Sequence, residues 1–403
     1  MAQTEEIAGR APREGQSARR GGWPAVAAVA GATFTVVTSE MLPVGLLTPI
    51  GDALHVSEGT AGLTLTITGL VGAVSAPLLT PLLGRLDRRV LLCCLMAVLA
   101  LGNLLAACAP SFGVMVVARV LVGIGMGVVW AVAAALAVRL VSGTAVGPAT
   151  SLIFSGIAVA SVLGVPAGTY IGELADWRTA FVVDAALAVV VLIALAALLP
   201  PLPAEQDIRL GGVLKLFGNL RLATGLAVVA FLVTGHFAAY TYVRPALEEI
   251  SGVSPTMIGT LLLVYGVAGV LGNFAAGAGA GRSPRGTLLV IALVLAATVG
   301  LLPLLGGSVL TAGVLLAVWG VSYGGVSVST QTWLLAAAPQ AREAASSLFV
   351  GVFNGAIALG ALVGGLAADG AGIEAVMWLG GGLALAALLV AALGHAPESG
   401  RLG

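Results

Sequence analysis

Glu40 stands in TSEMLPVGLLTPIGD, residues 38–52, an apolar run with one acid inside it and a proline, Pro43, three residues further on. Arg119 opens RVLVGIG in another apolar run, and His236 lies in VTGHFAAYTYVRP in a third. An ionisable side chain at the centre of a membrane span costs about 2.5–3.5 kcal/mol on insertion scales, and by default it marks a pathway or a proton site. A carboxylate there can alternately hold a proton and a substrate, a nearby guanidinium biases that exchange, and an imidazole titrates in the working range. The chemistry is therefore proton exchange, with Glu40 as first-choice proton site, Arg119 as its modulator and His236 as a cavity partner. The competing readings are a static buried ion pair of Glu40 with Arg119 and a packing role for His236.

Depth supports grouping them. Glu40 is ten residues inside Ile50, about 15 Å at 1.5 Å per residue, and Arg119 lies nine residues from Pro110 on a span running the other way. The two can face each other. Pro43 has no amide hydrogen, so the carbonyl of Ser39, four residues earlier, loses its helical partner; such a break survives in a bilayer only where protein or water satisfies the freed group. Asp184, six residues after Arg178, reads as a shallower acid with an interfacial capping or pairing role.

The chain that must position these groups has 403 residues, 59% hydrophobic and 9% charged, against about 25% charged in soluble domains. It is read as a membrane protein. Its 18 basic and 18 acidic residues cancel, so no basic field exists to hold nucleic acid. The single lysine, Lys215 in VLKLFG, does not complete a phosphate-binding loop. Cys93, Cys94 and Cys108 share one apolar segment with no histidine nearby, which fits neither metal spacing nor a disulfide framework; no metal and no cofactor is expected. His55 and His395 fall in flanking loops, and no Ser/His/Asp or His/Glu grouping appears, which argues against an enzyme. The apolar stretch after the first 22 residues is too long for a cleavable signal core and is expected to stay as a span.

About 20 apolar residues cross a bilayer, and breaks at polar or Gly/Pro clusters predict twelve helices: 24–50, 59–83, 90–109, 113–139, 148–172, 179–199, 222–247, 256–280, 287–305, 309–338, 344–368 and 375–394. With a cytoplasmic N-terminus, every lysine and arginine except Arg119, Arg178 and Arg244 falls in a cytoplasmic segment, so both termini are read as inside. The organisation expected is a tail at 1–22, a six-helix bundle at 23–199, a linker at 200–221, a second bundle at 222–394 and a tail at 395–403. Shifting the sequence by 197 positions aligns Gly84, Arg85 and Arg88 with Gly281, Arg282 and Arg285, and places His236 opposite the residue beside Glu40. Two parallel halves follow, a plan with the substrate site between the halves near the midplane.

In the fifth predicted span, Gly156, Ala160, Gly164, Gly168 and Gly172 put a small residue on one face every four positions, with Pro166 inside the run. Such a stripe lets another backbone approach closely. The glycines Gly123, Gly125 and Gly127 follow no strand, which argues against a dinucleotide loop. Tyr240, Tyr265, Asn273, Tyr323, Gln331, Trp333 and Asn354 are the candidate cavity-lining groups.

These residues resemble the major facilitator superfamily over essentially the whole chain, and in particular its bacterial twelve-helix drug and sugar efflux branch. GRLDRRVLL, with Gly84, Arg85, Asp87, Arg88 and Arg89, resembles the loop motif G-x-x-x-D-R/K-x-G-R-R, with Gly84 at the aspartate position and Asp87 at the last glycine position. RVLVGIG from Arg119 resembles the fourth-helix motif whose arginine is implicated in proton transfer. Gly164, Pro166 and Gly168, followed by Trp177 and Arg178, resemble the fifth-helix antiporter motif, with Val165 where a glycine usually precedes the proline. Glu40 matches the first-helix acidic position, and GHFAAYTYVRP resembles the seventh helix of sugar-efflux and chloramphenicol-efflux-like proteins. The resemblance implies an all-α major facilitator fold in the cell (inner) membrane and proton-coupled export of a small molecule (sugar, nucleoside or drug-like) by alternating access. Its partners would be substrate, protons and the lipid bilayer. A proton symporter or facilitative importer is the rival within transport; an integral-membrane enzyme or a non-transporting sensor is the rival from another class.

Overall fold

Backbone groups that cannot reach water must bond within their own segment, which leaves helices as the way for a single apolar segment to cross a bilayer. The computed structural model describes residues 22–83, 86–142, 145–203, 219–339 and 341–395, and among them there is helix and no strand. In chain order the helices are α1 (Gly22–Gly45), α2 (Leu47–Leu54), α3 (Glu58–Leu82), α4 (Arg88–Ala107), α5 (Phe112–Leu140), α6 (Val146–Val159), α7 (Val165–Leu174), α8 (Trp177–Leu198), α9 (Leu220–Tyr240), α10 (Val243–Glu249), α11 (Pro255–Arg282), α12 (Pro284–Leu305), α13 (Val309–Gly324), α14 (Val326–Ala337), α15 (Arg342–Ala371) and α16 (Ile373–Leu393). Eleven spans are long and apolar enough to cross a membrane by that measure, and the 25 residues of α3 give the twelfth. Most of the expected linker, and nearly all of both tails, lie outside the described residues.

The sequence predicts twelve unbroken spans, and the structure breaks four of them. The first is α1 continued by α2, separated at Leu46; the seventh is α9 continued by α10, separated at Thr241–Tyr242. Since 46 + 197 = 243, the two breaks are equivalent within one residue, as parallel halves require. The fifth span joins α6 to α7 through a π turn at Ala160–Gly164, just before Pro166. A proline lacks the amide that an α-helix needs and its ring crowds the preceding turn, and a wider turn relieves both. The tenth span breaks at Gly325, between α13 and α14.

Within the first half α1 packs against α5, α6 and α8, and α4 lies between α5 and α8; in the second half α9 lies between α15 and α16, and α11 packs on α13. Across the halves α3 meets α15, α7 meets α11, and α10 touches α1 and α2. The small-residue stripe of the fifth span faces α1. A Cβ at Gly156 would meet the Ala30 carbonyl, one at Gly164 would lie 2.9 Å from Thr38 Oγ1, and those at Gly168 and Gly172 would meet the ends of Leu42 and Leu46. The stripe thus seats the acid-bearing helix closely within its own half.

Candidate functional site

The site begins with two prolines. Pro43 leaves the Ser39 carbonyl without its helical donor, and Pro49 does the same to Gly45. Arginines supply both. Arg119 on α5, fully buried, donates through Nη1 to Ser39 O at 3.0 Å and through Nη2 to Glu40 O at 3.1 Å. Its Nε donates to Thr68 Oγ1 at 2.9 Å and Thr64 O at 3.2 Å on α3. Arg244 on α10 donates through Nη1 to Gly45 O at 2.8 Å. The planar fork of a guanidinium suits two neighbouring carbonyls in a way an ammonium does not.

This places Arg119 beside Glu40, as the depths suggested, but on its backbone: the guanidinium grips the carbonyls of α1, and the two side chains do not form the direct ion pair offered as the alternative. Glu40 is 4% exposed, and its Oε1 is buried without a hydrogen-bond partner. A buried carboxylate oxygen with no donor is costly. The charge of Glu40 still acts on Arg119, and on Tyr323 across the interface between halves.

Asp184 corrects an expectation. Its spacing from Arg178 predicts a shallow, interfacial acid; instead it is 3% exposed and sits in a buried trio. Ser39 Oγ donates to Asp184 Oδ2, and Asn103 Nδ2 donates to Ser39 Oγ at 2.8 Å and to Asp184 Oδ2 at 2.9 Å. Counting from Arg178 gave depth only from one end of α8 and could not reveal that α1 and α4 turn polar groups toward that position.

His236, 1% exposed, stands six residues before Tyr242, as Glu40 stands six before Leu46. Its Nδ1 accepts a hydrogen bond from Trp319 Nε1 at 3.0 Å. Its ring stacks on Tyr323 (centroids 3.3 Å apart, planes 10° apart) and on Tyr240 (5.0 Å, 19°), and Tyr240 stacks on Tyr265 (4.8 Å, 28°). Trp319 and Phe237 close the group edge-on. The second half therefore presents a box of flat rings, and the hydroxyl of Tyr323 within it is buried without a partner. Trp319 was not singled out from the sequence; its one signal is its position in the tenth span, in the same half as the histidine.

The remaining predicted lining residues disperse. Trp333 is fully buried, donates to Arg221 O at 3.0 Å and fills the space beside Gly225. Asn354 is half-buried and bonds back to Val350 O at 3.0 Å. Asn273 and Gln331 are exposed. None of these four joins the aromatic box. In the loop motif, Gly84 and Arg85 lie outside the described residues. Asp87 caps α4 by accepting from Arg89 N at 2.8 Å, and the Arg89 guanidinium bonds Ala196 O in the last turn of α8. Arg285, paired with Arg88 by the 197 shift, bonds Ala391 O and Ala392 O at the end of α16. Basic groups at helix C-termini complement the dipole, so these arginines tie helix ends within each half.

On the face away from the termini the halves are locked together. Arg244 pairs with Glu173 of the other half at 2.7 Å and with Glu248 at 3.0 Å, while Thr48 Oγ1 donates to Glu248 Oε2 at 2.7 Å. Asp369 of α15 accepts from Ser57 Oγ at 2.9 Å and from Gly59 N at 3.0 Å, capping α3 from the opposite half. Tyr242 is fully buried beside Gly62, Gly364 and Gly365 and donates to Ala361 O at 3.0 Å. These residues were not selected from the sequence, where Arg244 and Glu248 show only as an i,i+4 pair. Arg244→Gln removes the charge that joins two acids and is expected to loosen this seam. Spin labels at the exposed positions Ala53 and Thr256 should then move apart relative to the wild type; an unchanged distance distribution would leave Arg244 as a local strut.

The family model of the Major Facilitator Superfamily matches residues 29–342 and 226–402. The chain is 34% identical over 380 residues to the transcription regulatory protein OpdE of Pseudomonas aeruginosa, covering 93% of this chain and 94% of that one. It is 32% identical over 373 residues to the purine ribonucleoside efflux pump NepI of Salmonella paratyphi B, again covering 93% and 94%. In structure it is similar to a bacterial homologue of the human lysosomal transporter Spinster in an inward-facing, occupied conformation (TM-score 0.75, 15% identity, 91% of this chain and 95% of that chain). It is also similar to a mutant of the nucleoside transporter NupG (TM-score 0.72, 14% identity, 91% and 99%). The twelve spans, the repeated break in the first and seventh and the match along the chain agree: this protein belongs to the Major Facilitator Superfamily, as a membrane transporter and not an enzyme.

Proposed function

We propose that the protein exports purine ribonucleosides, or solutes of that flat-ringed and polyhydroxylated class, from a bacterial cell by alternating access, in exchange for protons carried by Glu40. The observation that carries the proposal is a pair among the buried polar atoms left without partners, Glu40 Oε1 on the first half and the Tyr323 hydroxyl on the second. An unpartnered carboxylate there invites either a proton or a hydrogen-bonding solute. The stack of His236, Tyr240, Tyr265 and Tyr323 is chemistry that would accept a further flat ring such as a base, each good aromatic pair adding about 0.5–1.5 kcal/mol beyond burial. The purine ribonucleoside pump among the relatives is consistent with that class. The sensor reading, toward which the name of the OpdE relative points, gives no role to a buried orphan carboxylate.

The termini are taken as cytoplasmic from the arginine distribution, so the locked face is the outer one and the form described is sealed to the outside. The test is a panel of solutes in proteoliposomes with an imposed pH gradient: tritiated adenosine and guanosine are expected to accumulate against their own gradients, and a labelled hexose is not. Equal handling of all three, or none with an intact seam, would remove the substrate class.

The α1–α7 contact belongs to this cycle. Gly168→Leu presses on Leu42, two residues from Glu40, and overpacking of this kind costs about 1–3 kcal/mol. Gradient-driven transport is expected to fall at least about tenfold in protein that still reaches the membrane, whereas failure of the protein to accumulate would mark the stripe as static packing.

A further inference from the structure

The buried trio of Asp184, Ser39 and Asn103 has no place in a cycle that uses Glu40 alone. Three observations bear on its role. First, Arg119 touches both acids through α1: its Nη1 holds the carbonyl of Ser39, whose hydroxyl bonds Asp184, and its Nη2 holds the carbonyl of Glu40. The charges of both acids act on it. Second, two carboxylates and one guanidinium, all 4% exposed or less, balance in charge only when one carboxyl carries a proton, and an uncompensated charge in such surroundings is strongly disfavoured. Third, Asp184 Oδ1 and Asn103 Oδ1 are both buried without partners.

The trio can hold Asp184 in either charge state. With Asp184 ionised, Asn103 Nδ2 and Ser39 Oγ donate to its Oδ2, as observed. Rotating the Asn103 amide by half a turn puts its oxygen where its nitrogen stood. That oxygen then accepts from the hydroxyl of a protonated Asp184 and from Ser39 Oγ, at the same separations. The flip pairs the amide oxygen, swings the Ser39 hydroxyl hydrogen from Asp184 to Asn103, and turns the amide NH2 to the side on which the oxygen had no partner.

We propose that Asp184 is the second carboxylate of the proton site: Glu40, Asp184 and Arg119 form one electrically coupled set that retains a single proton at neutral pH, with Ser39 and Asn103 as its hydrogen-bond relay. The inference rests on the proton-coupled reading above and deepens it. The surroundings of Asp184 contain no competing charge at this depth among the described residues. Of the elements packed against α8, α1 brings Ser39 and Glu40 and α4 brings Asn103. α7 carries Glu173, which is engaged by Arg244 at the far face. Arg119 reaches in from α5, and on α8 itself Arg178 lies at the end of the helix, bonded to Ala109 O and Asp176.

The experiment needs no solute. The full-length protein in lipid is titrated while the infrared carbonyl stretch of protonated carboxyls is followed, for wild type, Asp184→Asn and Glu40→Gln. Each substitution is nearly isosteric and leaves one carboxylate balanced by Arg119. In wild type the band attributable to the set persists at pH 7. In each single variant the carboxyl that remains is expected to lose its proton at a midpoint at least one pH unit lower, a tenfold weaker proton affinity. Either variant alone suffices if the other fails to fold. A midpoint unmoved in either variant would overturn the inference, since the two acids would then titrate independently; a wild-type set with no band at pH 7 would overturn it too. If instead the band behaves as expected but solute movement carries no protons, the inference about the set stands and the export reading above fails.

Discussion

In liposomes carrying Glu40→Gln, an imposed pH gradient is expected to drive no accumulation of purine ribonucleoside, a fall of about a hundredfold or more, while passive equilibration of the same solute continues. The amide keeps the shape of the side chain and cannot cycle a proton, and groups that exchange protons during turnover contribute on this scale. Folding should survive, because Arg119 bonds the carbonyl of residue 40 and not its side chain. Accumulation at the wild-type rate would remove Glu40 as the proton site. Loss of passive equilibration as well would show that the carboxylate is needed to bind solute and not only to carry the proton.

Arg119→Lys is expected to fail nearly as badly as Arg119→Gln. An arginine that only neutralised a nearby acid would tolerate lysine. This one satisfies two consecutive backbone carbonyls through separate nitrogens and ties them to Thr64 and Thr68 on α3 through a third. An ammonium on a flexible stem cannot make that set of contacts. Leaving the Ser39 carbonyl buried and unpaired next to Pro43 costs about 1–3 kcal/mol, and losing hydrogen bonds from a charged donor adds to it. Both variants should unfold at lower temperature in detergent than wild type. Arg119→Gln should also move the pH dependence of solute binding to higher pH, because removing a positive charge lets the proton compete over a wider range. Wild-type stability in the lysine variant would mean that charge alone matters. A pH shift that persists in the Glu40→Gln background would uncouple the two residues.

The spans were legible because a bilayer imposes one length and one composition on each, so Gly/Pro and polar clusters mark the ends of α4, α5 and α11 within a few residues. The 197-residue shift predicted two parallel halves but no break at Leu46 or Tyr242, and the proline rule anticipated that the Ser39 carbonyl needed a donor. Rotation about a helix axis was not legible. Depth put Arg119 level with Glu40 but could not say that its fork faces carbonyls, and it ranked Asn273, Gln331, Trp333 and Asn354 with the tyrosines that do meet His236. Asp184 was misjudged for a related reason: its partners Ser39 and Asn103 lie 145 and 81 positions away in sequence. Only the packing of α1, α4 and α8 brings them together. The seam residues Arg244, Glu173 and Asp369 were missed because charges near span ends are ordinary in membrane proteins, and nothing local distinguishes those that pair across the two halves.

The central claim is the exchange of solute for protons through Glu40, and the most direct measurement is proton movement itself. Liposomes containing the protein are loaded with a pH-sensitive dye and adenosine, then diluted into adenosine-free medium with no imposed pH gradient. Wild-type protein is expected to acidify the lumen, protons entering as adenosine leaves, and Glu40→Gln to leave the dye unchanged. Adenosine efflux with no dye response in wild type, or the same response in Glu40→Gln, would contradict the account.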